Sequence, residues 1–289
     1  MHLTSKLRHE NDGGSRIGIV LNGSPLFTGG AGSGESEIRR YLIENDLLEA
    51  IIKLSNDMFY NTGIATYVWI LTNCKPSLKR GKVQLIDASS FNQKMRKNLG
   101  EKRKEMNDDH IATVTQLFGD FVEANLAIIY DNNGKEIDQK VFVLDKTKSA
   151  HLSLAPDGCK LKQIPISKIF SNSAFGYSTI TVERPLRDEA GNIILASSGK
   201  LKGKPQPDCN LRDTENIPLD QNINDYFKKE VLPHVPDAWI DHDKTKIGYE
   251  ISFNRYFYVF EPLRSLEEID LELKETEQKI REMLEAMWL

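Results

Sequence analysis

Cysteine is scarce in this chain. Three occur among 289 residues, Cys74, Cys159 and Cys209, far apart and never as a CxxC pair. That usage argues against a zinc knuckle and a disulfide framework, and it fits a reduced, cytoplasmic setting. Long apolar runs are missing too: none approaches the roughly 18 residues needed to span a bilayer, and the amino terminus MHLTSKLRHENDGG has no signal-peptide core. Excess positive charge is also absent. The net charge is −4, so any contact with nucleic acid has to come from local patches, not from a field of the whole molecule. The six histidines show no metal-ligand spacing and no G-x-S-x-G is present, which leaves neither a metal hydrolase nor a serine nucleophile to argue for.

What is present centres on residues 57–73, DMFYNTGIATYVWILTN. Residues 66–71 form the most β-branched and aromatic run of the chain and read as a strand buried on both faces. The polar-aromatic turn before it carries Phe59 and Tyr60 at the end of a rigid element, where binding residues are commonly presented. Upstream, residues 1–10 read as the end of an amphipathic helix stopped by Asn11-Asp12-Gly13-Gly14, residues 17–21 as a strand, and residues 35–46 as a helix whose apolar face is Ile38, Tyr41, Leu42 and Asn45. Strands follow at 48–54 and 82–88, giving α/β patterning with at least one antiparallel pair. A polar, basic segment at 91–106 precedes a helix at 108–121. Beyond about residue 126, short strands at 127–130, 141–144 and 178–182 alternate with turns, residues 187–195 form a hairpin, and residues 249–260 read as an aromatic strand region.

Three stretches carry possible chemistry. The run Gly29-Gly30-Ala31-Gly32-Ser33-Gly34 lacks the Walker lysine and a proper G-x-G-x-x-G, so a surface loop is the better reading. Asn22-Gly23-Ser24-Pro25 has glycine and serine where a methyl-transfer tetrapeptide needs stiff prolines, and is rejected. Lys94, Arg96, Lys97, Lys102, Arg103 and Lys104 are the densest basic segment; they fit phosphate contacts or, equally, a solvated face broken by Glu101 and Glu105. Near the carboxyl end, Ser265-x-x-Glu268 is a capping box. Leu266, Ile269, Leu273, Thr276, Ile280, Met283 and Met287 follow in alternating steps of three and four, a heptad seam that needs a partner, either its own domain or another chain.

The blocks RIGIVLNGSPLFTG, ESEIRRYLIENDLLEAIIKL, MFYNTGIATYVWILTN, KVQLIDAS, ITVERPLR, RDTENIPL and EVLPHVPDAW, taken in order from about residue 3 to the end, resemble the modification subunit of type I restriction-modification systems, within the N-6 adenine DNA methyltransferase family. The resemblance implies the carboxy-terminal half of a Rossmann-like S-adenosylmethionine-binding sheet over residues 1–125, an α+β extension over 126–263 and a coiled-coil-like helix over 264–289. It makes residues 17–21, 48–54 and 66–71 the last three strands, the final one antiparallel and between the other two. It places Phe59, or alternatively Tyr60, against a flipped-out adenine. Specificity and restriction subunits and DNA become the expected partners, the specificity subunit meeting the seam. The family's cofactor loop, its ribose-holding acid and its Asn-Pro-Pro-Phe are not in this sequence. The expectation is therefore a chain inactive alone, with no cofactor of its own, whose first strand needs covering by a missing half, a second copy or a rearranged amino terminus. A non-catalytic assembly or DNA-binding module, or half of a split enzyme, are the rival expectations.

Overall fold

The computed structural model describes residues 1–131, 134–144, 159–199, 201–260, 263 and 265–287, without the side chains of residues 268, 286 and 287. Two compact units divide it, Met1–Phe257 and Tyr258–Leu289. The fold is mixed α/β. In chain order its strands are β1 (Arg16–Leu21), β2 (Leu48–Lys53), β3 (Tyr67–Thr72), β4 (Lys82–Asp87), β5 (Gln93–Leu99), β6 (Lys102–Glu105), β7 (Ala124–Tyr130), β8 (Glu136–Val143), β9 (Lys160–Ser171), β10 (Gly176–Glu183), β11 (Asp213–Pro218) and β12 (Trp239–Tyr249). The helices are α1 (Ser24–Phe27), α2 (Gly34–Glu44), α3 (Asp108–Asp120), α4 (Ile223–Tyr226), α5 (Phe253–Phe257) and, in the second unit, α6 (Leu266–Met287). Among the described residues no helix is long and apolar enough to cross a membrane, and no cluster of side chains has the makings of a metal site.

Seven strands form the main sheet in the order β1-β3-β2-β4-β9-β7-β8. β3 lies between β1 and β2 and runs antiparallel to both, with Trp69 opposite Ile19 on one side and Ile51 on the other. β2 and β4 are parallel. β1 is therefore an edge, and the sheet takes in strands on both sides of residue 125. Apolar side chains of α2 and α5 pack with Leu48, Ile51, Trp69 and Leu85 in one cluster, while Val114 and Leu117 of α3 pack with Ile52, Ile86 and Leu126 in another. β2 is buried from Leu48 to Ile52, with Leu48, Glu49, Ala50 and Ile51 all at most 1% exposed. β3, expected to be buried on both faces, leaves Val68 and Ile70 half-exposed. A second sheet, β11-β10-β12, covers its own core of Ile180, Val182, Ile217 and Phe227.

Several expectations are corrected. Residues 1–10 are not an α-helix. Two short 3-10 turns, Thr4–Lys6 and Glu10–Asp12, take their place, because the Thr4 and Ser5 hydroxyls donate back to the Met1 and His2 carbonyls and His9 caps Asn11. On α2 the inward residues are Ser36, Arg39, Leu42 and Ile43, whereas Ile38 and Tyr41 are exposed. The region 249–260 is not a strand: β12 ends at Tyr249, and Phe253 and Phe257, four residues apart, stack at 4.8 Å on one face of α5. The hairpin at 187–195 is present, closed by a bridge between Arg187 and Ile193. Arg212 belongs to a fixed ionic network, in which Arg212 and Lys244 each lie 2.8 Å from the buried Glu183 carboxylate. The side chains of Glu268 and Met287, named for the capping box and the seam, lie outside the described residues.

Asp46 fastens the turn after α2. It sits at φ 55°, in the left-handed region, and its carboxylate accepts from Lys75 Nζ (2.6 Å), Asn172 Nδ2 (2.9 Å) and Gly81 N (3.0 Å). Burial raises its pKa, but these donors together outweigh burial and hold it below the usual value. The stabilisation is thus full above the unfolded carboxylate pKa of about 3.9 and is lost as pH falls through the lower folded value. Asp46→Asn, which tolerates the same backbone, should cost about 1–2 kcal/mol at pH 7. Thermal melts should show that deficit shrinking at pH 3; a constant deficit would mean the charge is not what matters.

Candidate nucleic-acid interface

The parallel strands β2 and β4 end side by side at Lys53 and Asp87, whose side chains pair at 3.1 Å. Ligands of open α/β sheets gather outside such carboxyl ends, and two segments leave this one. The first, residues 54–66, is a nested hairpin. Leu54 N donates to Thr66 O (2.8 Å), Asp57 N to Gly63 O (3.3 Å), and Phe59 bridges Thr62 across the tip. Asp57 takes φ 61° to make the bend. Phe59 is half-buried and Tyr60, at the tip, is 65% exposed.

The second segment is the basic one, and it is a two-stranded ribbon. β5 and β6 pair antiparallel through Gln93 with Glu105, Lys94 with Lys104, and Leu99 with Lys102, turning at Gly100-Glu101. The ribbon binds the aromatic hairpin through its backbone. Glu101 N donates to Tyr60 O (2.9 Å), and Arg103 N and Lys104 N both donate to Asp57 O (2.9 and 3.1 Å). Lys104 Nζ adds a bond to Ser55 Oγ at 3.3 Å. Gly100, at φ 60°, is where the two approach most closely: a Cβ there would lie 2.7 Å from the Tyr60 carbonyl and 3.0 Å from its ring. Only glycine fits that contact.

Electrostatically the ribbon is unfinished. Its thirteen residues carry six cations against two carboxylates. Glu105 is engaged by Gln93 Nε2 at 3.1 Å, and none of the six cations makes an ion pair among the described residues. Lys94 and Lys104 are held directly opposite each other, an arrangement that costs stability unless an anion lies between them. Lys94, Arg96, Lys97 and Arg103 are exposed, and Lys102 and Lys104 half-exposed.

Phe59, Tyr60 and the basic segment, separate in the sequence reading, are thus brought together. Asp57, Ser55 and Gly100, which join them, were missed. The signals were a left-handed Asn-Asp turn and a glycine between two charged runs. The seam residues Leu266, Ile269, Leu273, Ile280 and Met283 lie on α6, in the other unit. In the glycine run 29–34, Gly29 is packed against Ser33 and Glu35 and Gly32 against the Lys246 stem, while Gly30 and Gly34 face open space.

The family model of N-6 DNA methylases matches residues 1–153, more than half of the chain and all of both segments. The chain belongs to the N-6 DNA methylase family. Two curated relatives of this chain come from Methanocaldococcus jannaschii. The MjaVII methylase subunit of a type I restriction enzyme is 43% identical over 74 residues, 26% of this chain and 12% of the relative. The MjaVIII methylase subunit is 30% identical over 110 residues, 38% of this chain and 18% of the relative. The matched stretch is therefore less than a fifth of either relative's length. Among solved structures, the methyltransferase subunit of a type I restriction-modification system from Streptococcus thermophilus is 30% identical, covering 36% of this chain and 20% of that one, with a TM-score of 0.31.

Proposed function

We propose that this N-6 DNA methylase chain supplies the DNA-holding and base-holding part of the modification subunit of a type I restriction-modification system, whose complete enzyme transfers a methyl group from S-adenosylmethionine to adenine N6 in DNA. The observation that carries this reading is the ribbon of six cations without ion pairs, hydrogen-bonded to the hairpin that presents Phe59 and Tyr60. A polyanion neutralises such a ribbon. An adenine turned out of the duplex needs a new surface to stack on, and Phe59 offers its ring for that, with Tyr60 as the alternate. Lys94, Arg96, Lys97, Lys102, Arg103 and Lys104 hold the neighbouring phosphates.

The methyl donor finds no fit among the residues present. Gly29 and Gly32 of the glycine run are packed against neighbouring side chains, and the sequence holds no Asn-Pro-Pro-Phe to orient the adenine amino group. On this reading the chain does not methylate alone. Residues 1–125 act as part of the methyltransferase sheet, 126–263 as an extension, and 264–289 as the contact to the specificity subunit. The restriction subunit joins the same assembly.

Phe59→Ala in the complete enzyme should lower turnover about 5- to 150-fold, the equivalent of a stacking contribution of about 1–3 kcal/mol. It should also suppress the fluorescence rise of 2-aminopurine at the target position, with Tyr60→Ala doing less. If both Phe59→Ala readouts stay at wild-type level, the stacking role is gone; if Tyr60→Ala alone abolishes them, Tyr60 is the stacking residue.

A further inference from the structure

β1 and β2 both run antiparallel to β3, so they are parallel to each other, and their carboxyl ends Leu21 and Lys53 flank the start of β3 at Tyr67. A cleft of about 200 Å³ opens there, walled by Phe27, Tyr67, Phe253, Asn254 and Arg255. Its frame is fixed. A Cβ on Gly23 would lie 3.2 Å from the Tyr67 ring, Ile251 N donates to Leu26 O at 2.9 Å, and the Tyr67 and Phe253 rings meet edge to face at 5.5 Å. Tyr67 is also the foot of the aromatic hairpin, next to the bond from Leu54 N to Thr66 O. Three groups on this frame are unused. Phe27 is 58% exposed, although Leu26 beside it is 2% exposed. Asn254 and Arg255 are exposed on α5, and among the described residues the Asn254 amide makes no hydrogen bond and Arg255 no ion pair. Glu250 lines the same cleft, its Oε1 accepting from Ser252 Oγ at 2.7 Å.

This set selects a nucleobase. The cleft is smaller than the roughly 300–1,000 Å³ that enclose a drug-sized ligand, so it takes one ring system. Aromatic walls favour a flat one. A planar amide offers an acceptor beside a donor, the complement of adenine N6–H and N7, and an exposed guanidinium suits the phosphate that swings out with the base. We propose that this cleft recognises the extruded adenine: Asn254 reads its N6/N7 edge, Phe27 lies against its ring and Arg255 holds its phosphate. The inference rests on the base-holding reading and adds the residues that tell adenine from another base.

The test measures binding of the complete enzyme to two duplexes, one with adenine at the methylated position and one with purine, which lacks the N6 amino group. The cost of unpairing each duplex is the same for every variant, so it cancels when their affinity ratios are compared. Asn254→Leu should shift the adenine-to-purine ratio about 5- to 150-fold against adenine and leave purine binding as it is. Phe27→Ala should weaken both duplexes alike, and Arg255→Gln should do the same while lowering the salt slope by about 1. Asn254→Asp, nearly the same in size, keeps the acceptor and loses the donor to N7. It should still tell adenine from purine but no longer adenine from 7-deazaadenine, which keeps the test open if leucine disturbs the fold. An unchanged ratio in Asn254→Leu, or a preference for adenine over 7-deazaadenine that survives Asn254→Asp, overturns the reading of the edge; undiminished binding by Phe27→Ala overturns the wall. Phe59→Ala then tells the two readings apart: if it still suppresses the 2-aminopurine signal, the base is held but read elsewhere, and if it does not, the base-holding reading falls as well.

Discussion

Arg39→Met should cost the first unit about 4 kcal/mol, a large part of the 5–15 kcal/mol that holds a typical domain folded. Arg39 is 2% exposed on α2, and burial lowers its pKa. Its guanidinium is spent entirely on backbone: Nε donates to Tyr249 O, Nη1 to Pro25 O (3.1 Å) and Thr28 O (2.8 Å), and Nη2 to Gly29 O (3.0 Å). Those four carbonyls belong to the end of β12, to α1 and to the start of the glycine run, so one side chain fastens three segments. Ser36 Oγ, one turn earlier, accepts from Tyr249 N at 3.0 Å and completes the clamp. Methionine keeps the apolar stem and removes every donor. Each orphaned buried carbonyl costs about 1–3 kcal/mol before relaxation. Lysine, a single point of charge on a flexible stem, should recover less than half of the loss. Urea unfolding followed by tryptophan fluorescence reads the difference. A midpoint for Arg39→Met within about 1 kcal/mol of wild type would mean the loop is held by something else.

The same residue marks how far the sequence could be read. Periodicity assigned the inward face of α2 to Ile38 and Tyr41, because apolar residues are what periodicity counts. A cation whose ligands are all backbone carbonyls leaves no pattern of its own. β1, β2, β3 and β4 were legible as short β-branched runs, and α3 as an acidic start followed by an apolar spacing. β9 was not: Lys160, Lys162 and Lys168 dilute its pattern and Pro165 stands in the middle. The register with β7 shifts there to accommodate a residue with no N–H. The ribbon failed for the opposite reason, since two charged strands with no apolar alternation look like a solvated segment. Its contact with the aromatic hairpin runs through the carbonyls of Asp57 and Tyr60, which every residue type possesses. Of the junction, only Gly100, the left-handed Asp57 and the Lys104–Ser55 side-chain bond depend on residue identity. The candidate residues were therefore findable one by one, while their adjacency was a property of the backbone.

Neutralising Lys94, Arg96, Lys97 and Arg103 to Gln should abolish most DNA affinity and flatten its dependence on salt. A chain that places six cations on phosphates has a slope of log K against log salt near −5, equivalent to about a 10³-fold loss between 50 and 200 mM. Removing four leaves a slope near −2. The net charge of the chain, −4, works against binding at any distance, so the effect has to be local. Lys228→Gln with Lys229→Gln removes charge from an exposed turn elsewhere and should leave the slope as it is. Fluorescence anisotropy of a labelled duplex, titrated at four salt concentrations, separates these outcomes. A wild-type slope near zero, or an equal fall with the control pair, would make the ribbon an ordinary solvated face. Stability supplies the independent check, because it should move the other way. Lys94 faces Lys104 across the ribbon and makes no ion pair among the described residues, so Lys94→Gln alone should stabilise the fold by about 0.2–1 kcal/mol while weakening DNA binding. A residue kept at a cost to folding and needed for an anion is what a binding ribbon requires; on a face that only meets water, the substitution would change stability and nothing else.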